Sequence, residues 1–235
     1  MSVDKLTEVL MDLADGKISE QKALEHIKEA TPTEISRAEQ NLLDKGISES
    51  DLQKFCKVHL KAVEDEVDEL KRDLDDDHPI KTLMLEHDEI LKSLEVLEEI
   101  SERIEEGLSE DDKERLKEAA HHLIEAEKHH KREEDTLFPR LKDKGITGPP
   151  RIMEMDHEDL WPKKKELDKL VKSPEENTKE IKKTIDYIVF HLRDHIFKEN
   201  NILYPSALNE LEDWDVIKKE CDSIGYCCFT PGNEE

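Results

Sequence analysis

The sequence predicts an all-α protein, an up-down-up-down four-helix bundle preceded by a smaller N-terminal helical domain. Three observations carry that expectation. Apolar residues keep a helical period over long stretches, as in Leu83, Leu85, Ile90, Leu91, Leu94 and Leu97. Glycine is scarce, with 7 in 235 residues, roughly 3% against a usual 7%, which disfavours a turn-rich β architecture. Caps and breakers then divide the chain into helix-sized pieces.

The first block, residues 1–76, opens with a helix near 2–14 that stops at Asp15-Gly16, and a second helix starts after Ser19. Thr31-Pro32-Thr33-Glu34 begins a third, with proline at an early position where its missing N–H costs nothing. Lys45-Gly46 ends it, and Ser48, Glu49, Ser50 and Asp51 cap a fourth helix toward Leu74. The run from Asp73 to Pro79 reads as a boundary, because clustered Asp favours a solvated turn and proline disfavours helix before it.

The second block, 77–208, holds four longer helices, near 80–106, 110–141, 149–172 and 175–204. Gly107, Gly145, Ser173-Pro174 and Pro205 punctuate them. Short connections make neighbours antiparallel. A tail, 209–235, carries Trp214 and Cys227-Cys228.

Composition excludes several functions. Lys+Arg number 36 and Asp+Glu 61, a net charge of −25, so neither nucleic acid nor an anionic membrane surface is an expected partner. There is no apolar run of about 18 residues to span a membrane, and Met1-Ser2-Val3-Asp4-Lys5 does not look like a signal peptide. Four cysteines, Cys56, Cys221, Cys227 and Cys228, are too few and too unevenly placed for a disulfide framework. A reducing cytoplasm is the expected location.

Eleven histidines in a chain with ten aromatics form a surplus, and an internal repeat organises part of it. His129-His130-Lys131-Arg132-Glu133-Glu134-Asp135-Thr136-Leu137-Phe138-Pro139 and His195-Ile196-Phe197-Lys198-Glu199-Asn200-Asn201-Ile202-Leu203-Tyr204-Pro205 share H-x3-E-x3-L-[FY]-P without a gap. Leu85-Glu86-His87 and Met155-Asp156-His157 share a second pattern. A helical hairpin is thus used twice.

Residues i and i+4 lie on one helix face. His129 with Glu133, and His195 with Glu199, each offer an imidazole and a carboxylate to one point, and His191 lies one turn before His195. His87 and His157 can meet them from facing helices. Five imidazoles and two carboxylates make a mixed N/O site in which the carboxylates can bridge two metal ions. Imidazole suits Fe, Zn, Cu and Ni, and carboxylate shifts the preference toward Fe or Mn. Buried together without a cation, these groups would be costly. The candidate metal ligands are therefore His87, His129, Glu133, His157, His191, His195 and Glu199.

The order His87, His129-x3-Glu133, His157, His195-x3-Glu199 on four successive helices, with the Leu-Phe-Pro and Leu-Tyr-Pro helix ends, resembles the hemerythrin-like (HHE) cation-binding domain over about residues 78–208. The segments from Glu34 to Gly46 and from Leu52 to His59 resemble a helical domain of unknown function often found before such a bundle, and His78-Pro79-Ile80 resembles the usual junction. The resemblance implies a non-heme di-iron centre, with His87, His129, His157 and His195 as terminal ligands and Glu133 and Glu199 as bridges; Zn or Mn are alternatives. His130 and Glu134 repeat the i+4 spacing one residue on, and His122 lies two turns before His129; whether these three ligate stays open. Glu127-x2-His130 and Glu154-x2-His157 admit a ferritin-like reading, second because His outnumbers Glu.

Cys56-x2-His59 has ligand-like spacing but cannot alone close a four-ligand zinc site. Cys221-x5-Cys227-Cys228 has the makings of a redox pair. The expected function is a cytoplasmic di-iron protein that binds, senses or detoxifies O2, NO or peroxide. The alternatives are an iron-dependent redox enzyme or iron donor for iron–sulfur repair, and a metal-stabilised interaction module whose N-terminal domain recruits a protein partner.

Overall fold

The computed structural model describes residues 2–27 and 69–229, together with 30, 38, 41, 42, 45, 67 and 231. It divides into two units, Met1–Arg72 and Asp73–Glu235. Among the described residues there is no strand, and no helix is long and apolar enough to cross a membrane.

In the first unit the Ser2 hydroxyl accepts from Lys5 N–H to start α1 (Val3–Ala14), and Gly16, at φ 68°, takes the left-handed turn just after it. Ser19 accepts from Lys22 N–H at the start of α2 (Glu20–Ile27). Leu6, Leu10, Ala23, Ile27, Ala38 and Leu42 are buried. Cys56 and His59, and the fourth helix expected toward Leu74 over most of its length, lie outside the described residues.

The second unit begins at His78, whose Nδ1 accepts the Ile80 N–H ahead of α3 (Pro79–Arg103). Proline at the first helical position loses no hydrogen bond there. A 3₁₀ turn, Ile104–Glu106, and Gly107 at φ 104° close α3. Ser109 and Asp112 form a reciprocal capping box that starts α4 (Glu110–Glu125).

The region expected as one helix over 110–141 is segmented. After α4 come α5 (Glu127–Arg132), a π turn (Glu133–Leu137) and α6 (Phe138–Asp143). The same succession recurs after α7 (Gly148–Leu170). There α8 (Thr178–Lys198) leads into a π turn (Glu199–Leu203), α9 (Tyr204–Glu210) and, in the tail, α10 (Trp214–Ile224). Pro205 was expected near a helix end; instead the chain continues helically through it. Proline has no N–H to give the carbonyl four residues back, and its ring crowds that carbonyl. The backbone widens by one residue just before Pro139 and Pro205, with Phe138 N–H bonding Glu133 O and Tyr204 N–H bonding Glu199 O.

Contacts between α3 and α4 step in opposite directions: Arg103 with Asp112, Glu99 with Arg115, Ser93 with His122. The two helices are therefore antiparallel. The same holds for α4–α5 against α7, through Glu134 with His157 and Glu127 with Lys164. On the remaining sides, α8 packs against α7 and α3. Ile90, Leu94, Leu97, Leu116, Leu123, Leu167, Ile185 and Ile188 fill one length of the interior, each worth about 2 kcal/mol by burial. A polar layer follows at His87 and His129, and beyond it Ile80, Leu83, Met84, Phe138, Leu141 and Leu203 are buried again.

Candidate metal centre

Four of the five predicted imidazoles are held from their outer nitrogens. His87 Nδ1 lies 2.9 Å from Asn200 Oδ1, and His129 Nδ1 lies 2.9 Å from Glu86 Oε2. His157 Nδ1 is 2.7 Å from Glu134 Oε1, and His195 Nδ1 is 3.3 Å from Asp156 Oδ2. An acceptor at Nδ1 fixes the proton there and leaves the Nε2 lone pair facing inward. Those lone pairs converge. His87 and His129 Nε2 are 3.1 Å apart, and His157 and His195 Nε2 are 3.0 Å apart.

Two buried carboxylates lie between these pairs. Glu199 Oε2 is 2.9 Å from His87 Nε2, while Glu199 Oε1 is 2.8 Å from His195 Nε2. Glu133 Oε2 is 3.8 Å from His129 Nε2 and 3.7 Å from His157 Nε2. Glu133 Oε2 and both Glu199 oxygens are buried without a directed hydrogen-bond partner. Such a donor set wants a cation: carboxylate oxygens and imidazole nitrogens crowd together with too few protons among them.

The repeat extends to the supporting residues. Glu86 and Asp156, each just before a histidine, hold the histidine of the neighbouring repeat element. Arg132 bonds Glu86 where Lys198 reaches Asp156 at 3.0 Å. The Phe138 ring stacks against His157 and the Tyr204 ring against His87, at 5.9 and 5.5 Å between centroids. Three of the differences between the halves bear on the centre. His130 stands where the other half has Ile196, Tyr204 where it has Phe138, and Glu134 where it has Asn200.

Among the described residues, three groups have ligand atoms mutually within 4.8 Å: His87, His129 and Glu199; Glu133, His157, His195 and Glu199; and His130, His157 and His195. Six of the seven expected residues thus converge. His191 is in none of these groups, and its ring lies against Tyr187 and Phe190 instead. His130 joins from helix α5, stacked on His157 at 3.9 Å between centroids. Glu134 supports His157 from its outer side. His122 faces Ser93 and Cys228, away from the centre.

Tyr204 is a site residue that pattern reading missed. Its hydroxyl donates to Glu133 Oε1 at 2.9 Å and lies 3.3 and 3.2 Å from His87 and His129 Nε2. The signal was its exchange for Phe138 in the matched L-[FY]-P helix ends.

Burial and opposed charges set the protonation of these groups. Burial and the neighbouring Glu199 push Glu133 well above the usual carboxylate range. Glu199 stays well below it because, against burial, His195, His157 and His87 favour its charge. Against its own burial, Glu199 and Asp156 raise His195 to about 9, whereas burial lowers His129 to about 4. Glu86, despite burial, is held at about 2 by His129 and Arg132. Burial lowers Lys164, whose Nζ is 3.8 Å from Glu127 Oε2, to about 8.

A family model for the hemerythrin HHE cation binding domain matches residues 78–207. A family of unknown function (DUF438) matches residues 6–69. No curated protein matches the chain.

Proposed function

The chain belongs to the hemerythrin HHE cation-binding family, and from that premise we propose that its bundle holds two iron ions and uses them to bind, sense or detoxify O2, NO or peroxide. The observation that carries the reading is Glu199, shared between the His87–His129 group and the Glu133–His157–His195 group. A carboxylate so placed can bridge two ions, and Glu133 lies between the same pairs of imidazoles. The imidazole-rich, two-carboxylate donor set suits iron, with manganese or zinc as competitors. Iron held there supplies redox chemistry and a coordination position for a small ligand.

The protein's own groups do the rest. Glu86, Glu134, Asp156 and Asn200 orient the imidazoles, and the Phe138 and Tyr204 rings pack beside His157 and His87. Tyr204 brings a hydroxyl hydrogen bond to Glu133. The reading belongs to a reducing, cytoplasmic setting.

The test is anaerobic iron loading of the full chain, followed by metal analysis and absorption spectra on exposure to O2, NO and hydrogen peroxide. Two irons per chain and a spectrum that changes with at least one of these ligands are expected. Trace iron only, or two irons with a spectrum indifferent to all three, overturns the reading.

A further inference from the structure

Beyond the metal centre, the segment after α10 lays two adjacent thiols beside a histidine of α4. The Cys227 and Cys228 Sγ atoms are 2.9 Å apart, and Cys228 Sγ is 3.1 Å from His122 Nε2. His122 is fixed from its other side. Its Nδ1 lies 2.7 Å from Ser93 Oγ, and the Ser93 hydroxyl donates to the Glu89 carbonyl. Ser93 therefore accepts the Nδ1 proton, and Nε2 faces the thiol as a proton acceptor. The turn is anchored by the Cys227 N–H, which donates to Glu86 Oε1 at 3.3 Å. Both cysteines are half-buried and reachable by small molecules, whereas Cys221 is buried with its sulfur toward Thr136.

We propose that Cys227 and Cys228 form a reversible thiol–disulfide pair, with Cys228 as the attacking sulfur, His122 as the group that takes its proton, and a low-molecular-weight disulfide as the oxidant. The Cys228 thiolate attacks one sulfur of the oxidant. A Cys228–S–S–R bond forms, the oxidant's own S–S bond breaks, and the departing RS⁻ takes up the proton held by His122. Cys227 then attacks Cys228 Sγ, its proton leaving with the second RS⁻. Two protein thiols lose two electrons and two protons, and one external disulfide becomes two thiols.

The electrostatics agree with this division of labour. The hydrogen bond from Cys227, together with His122 and against burial, lowers Cys228 to about 6. The contact with Cys228 raises His122, with Glu89 and Glu86 adding to it. The contact with Cys228 and burial raise Cys227. Adjacent Cα atoms are about 3.8 Å apart, closer than the roughly 4.4–6.8 Å that disulfides favour. The closed ring is therefore strained and readily reduced, which suits a cycling pair rather than a structural staple. Through Glu86, which also accepts from His129 Nδ1, closing the ring reaches a residue that orients the metal centre.

Intact-mass analysis and peptide mapping of the full chain, equilibrated in glutathione buffers of increasing oxidation and then alkylated, test the pair. A species two hydrogens lighter is expected, with Cys227 and Cys228 protected from alkylation, and added reduced glutathione returns it to the dithiol. Cys227→Ser is expected to hold a glutathione adduct on Cys228, and Cys228→Ser to form no intramolecular bond. His122→Gln is expected to slow alkylation of Cys228 at neutral pH by about tenfold, as its thiolate fraction falls. Absence of the lighter species at every buffer ratio, or a bond that maps to Cys221 or Cys56, overturns the proposal. An unchanged alkylation rate in His122→Gln overturns the role of His122.

Discussion

Glu199 addresses His87 and His195 with different oxygens, at 2.9 and 2.8 Å, so one side chain joins the two halves of the repeat. A carboxamide of the same shape keeps one oxygen and loses the charge. Glu199→Gln is expected to hold one metal ion per chain or fewer and to weaken iron binding by more than about 100-fold, beyond the 10–100-fold typical of supporting partners. Metal analysis after equilibrium dialysis decides it; two tightly held ions in this variant would remove Glu199 as a bridge.

Asp156 supports His195 from outside and is itself tied to Lys198. Asp156→Asn leaves an acceptor for the imidazole but removes the charge, so metal affinity is expected to fall about 10–100-fold. Competition with a chelator of known affinity measures this, and an unchanged affinity would show that Asp156 does not tune the ligand.

The hydroxyl of Tyr204 is the hydrogen bond that Glu133 receives. Tyr204→Phe makes this half of the repeat resemble the other, where Phe138 stands. With Glu133 left less satisfied, the chelated protein is expected to lose about 1–2 kcal/mol, read by urea unfolding, while two ions still bind. Loss of an ion would place the phenol among the ligands.

His130 converges on His157 and His195 with no counterpart in the other half, where Ile196 stands. His130→Ile is therefore expected to weaken one of the two ions selectively, giving two separated binding steps in a calorimetric titration. A uniform change in both steps, or none, argues that His130 merely packs there.

Lys164 carries its ammonium in the interior, and burial depresses its pKa to about 8 from 10.5. The folded state thus binds fewer protons than the unfolded chain between pH 8 and 10.5, so this residue's contribution to stability rises with pH in that window and is a cost below it. The cost is on the order of 3 kcal/mol at pH 7. Lys164→Met is expected to stabilise the protein at pH 7 and flatten stability between pH 8 and 10.5. An unchanged pH slope in denaturant unfolding would mean that the ammonium finds solvent.

Much of this centre was legible because ligation imposes spacing. His129 with Glu133 and His195 with Glu199 sit one helical turn apart, and repetition of the spacing made coincidence a poor account. His191 satisfies the same spacing but lies another turn along the axis, where Tyr187 and Phe190 surround it. Helical phase alone does not set depth along a bundle. His130 was ambiguous for the converse reason: neighbouring residues differ by about 100° around a helix, and only tertiary packing decides how far a side chain can swing inward. Tyr204 was concealed by its apolar partner Phe138, since an aromatic at a helix end reads first as core. The interruption at Glu133–Leu137 was signalled by Pro139, though proline alone does not say that the backbone answers with a wider turn.

The paired wider turns, Glu133–Leu137 and Glu199–Leu203, set the phase of the helical segment beyond each of them. Up to the first residue of each, the helix is clocked so that histidine and glutamate point at the centre. Downstream, the inserted residue resets the clock, so that α6 and α9 can seat Phe138 and Tyr204 by packing rules of their own. Trimming one residue from either turn would rotate the downstream segment by about 100° and leave the ligand stretch where it is. The metal-binding stretch and the helix end beyond it can thus be altered separately, by evolution or by design.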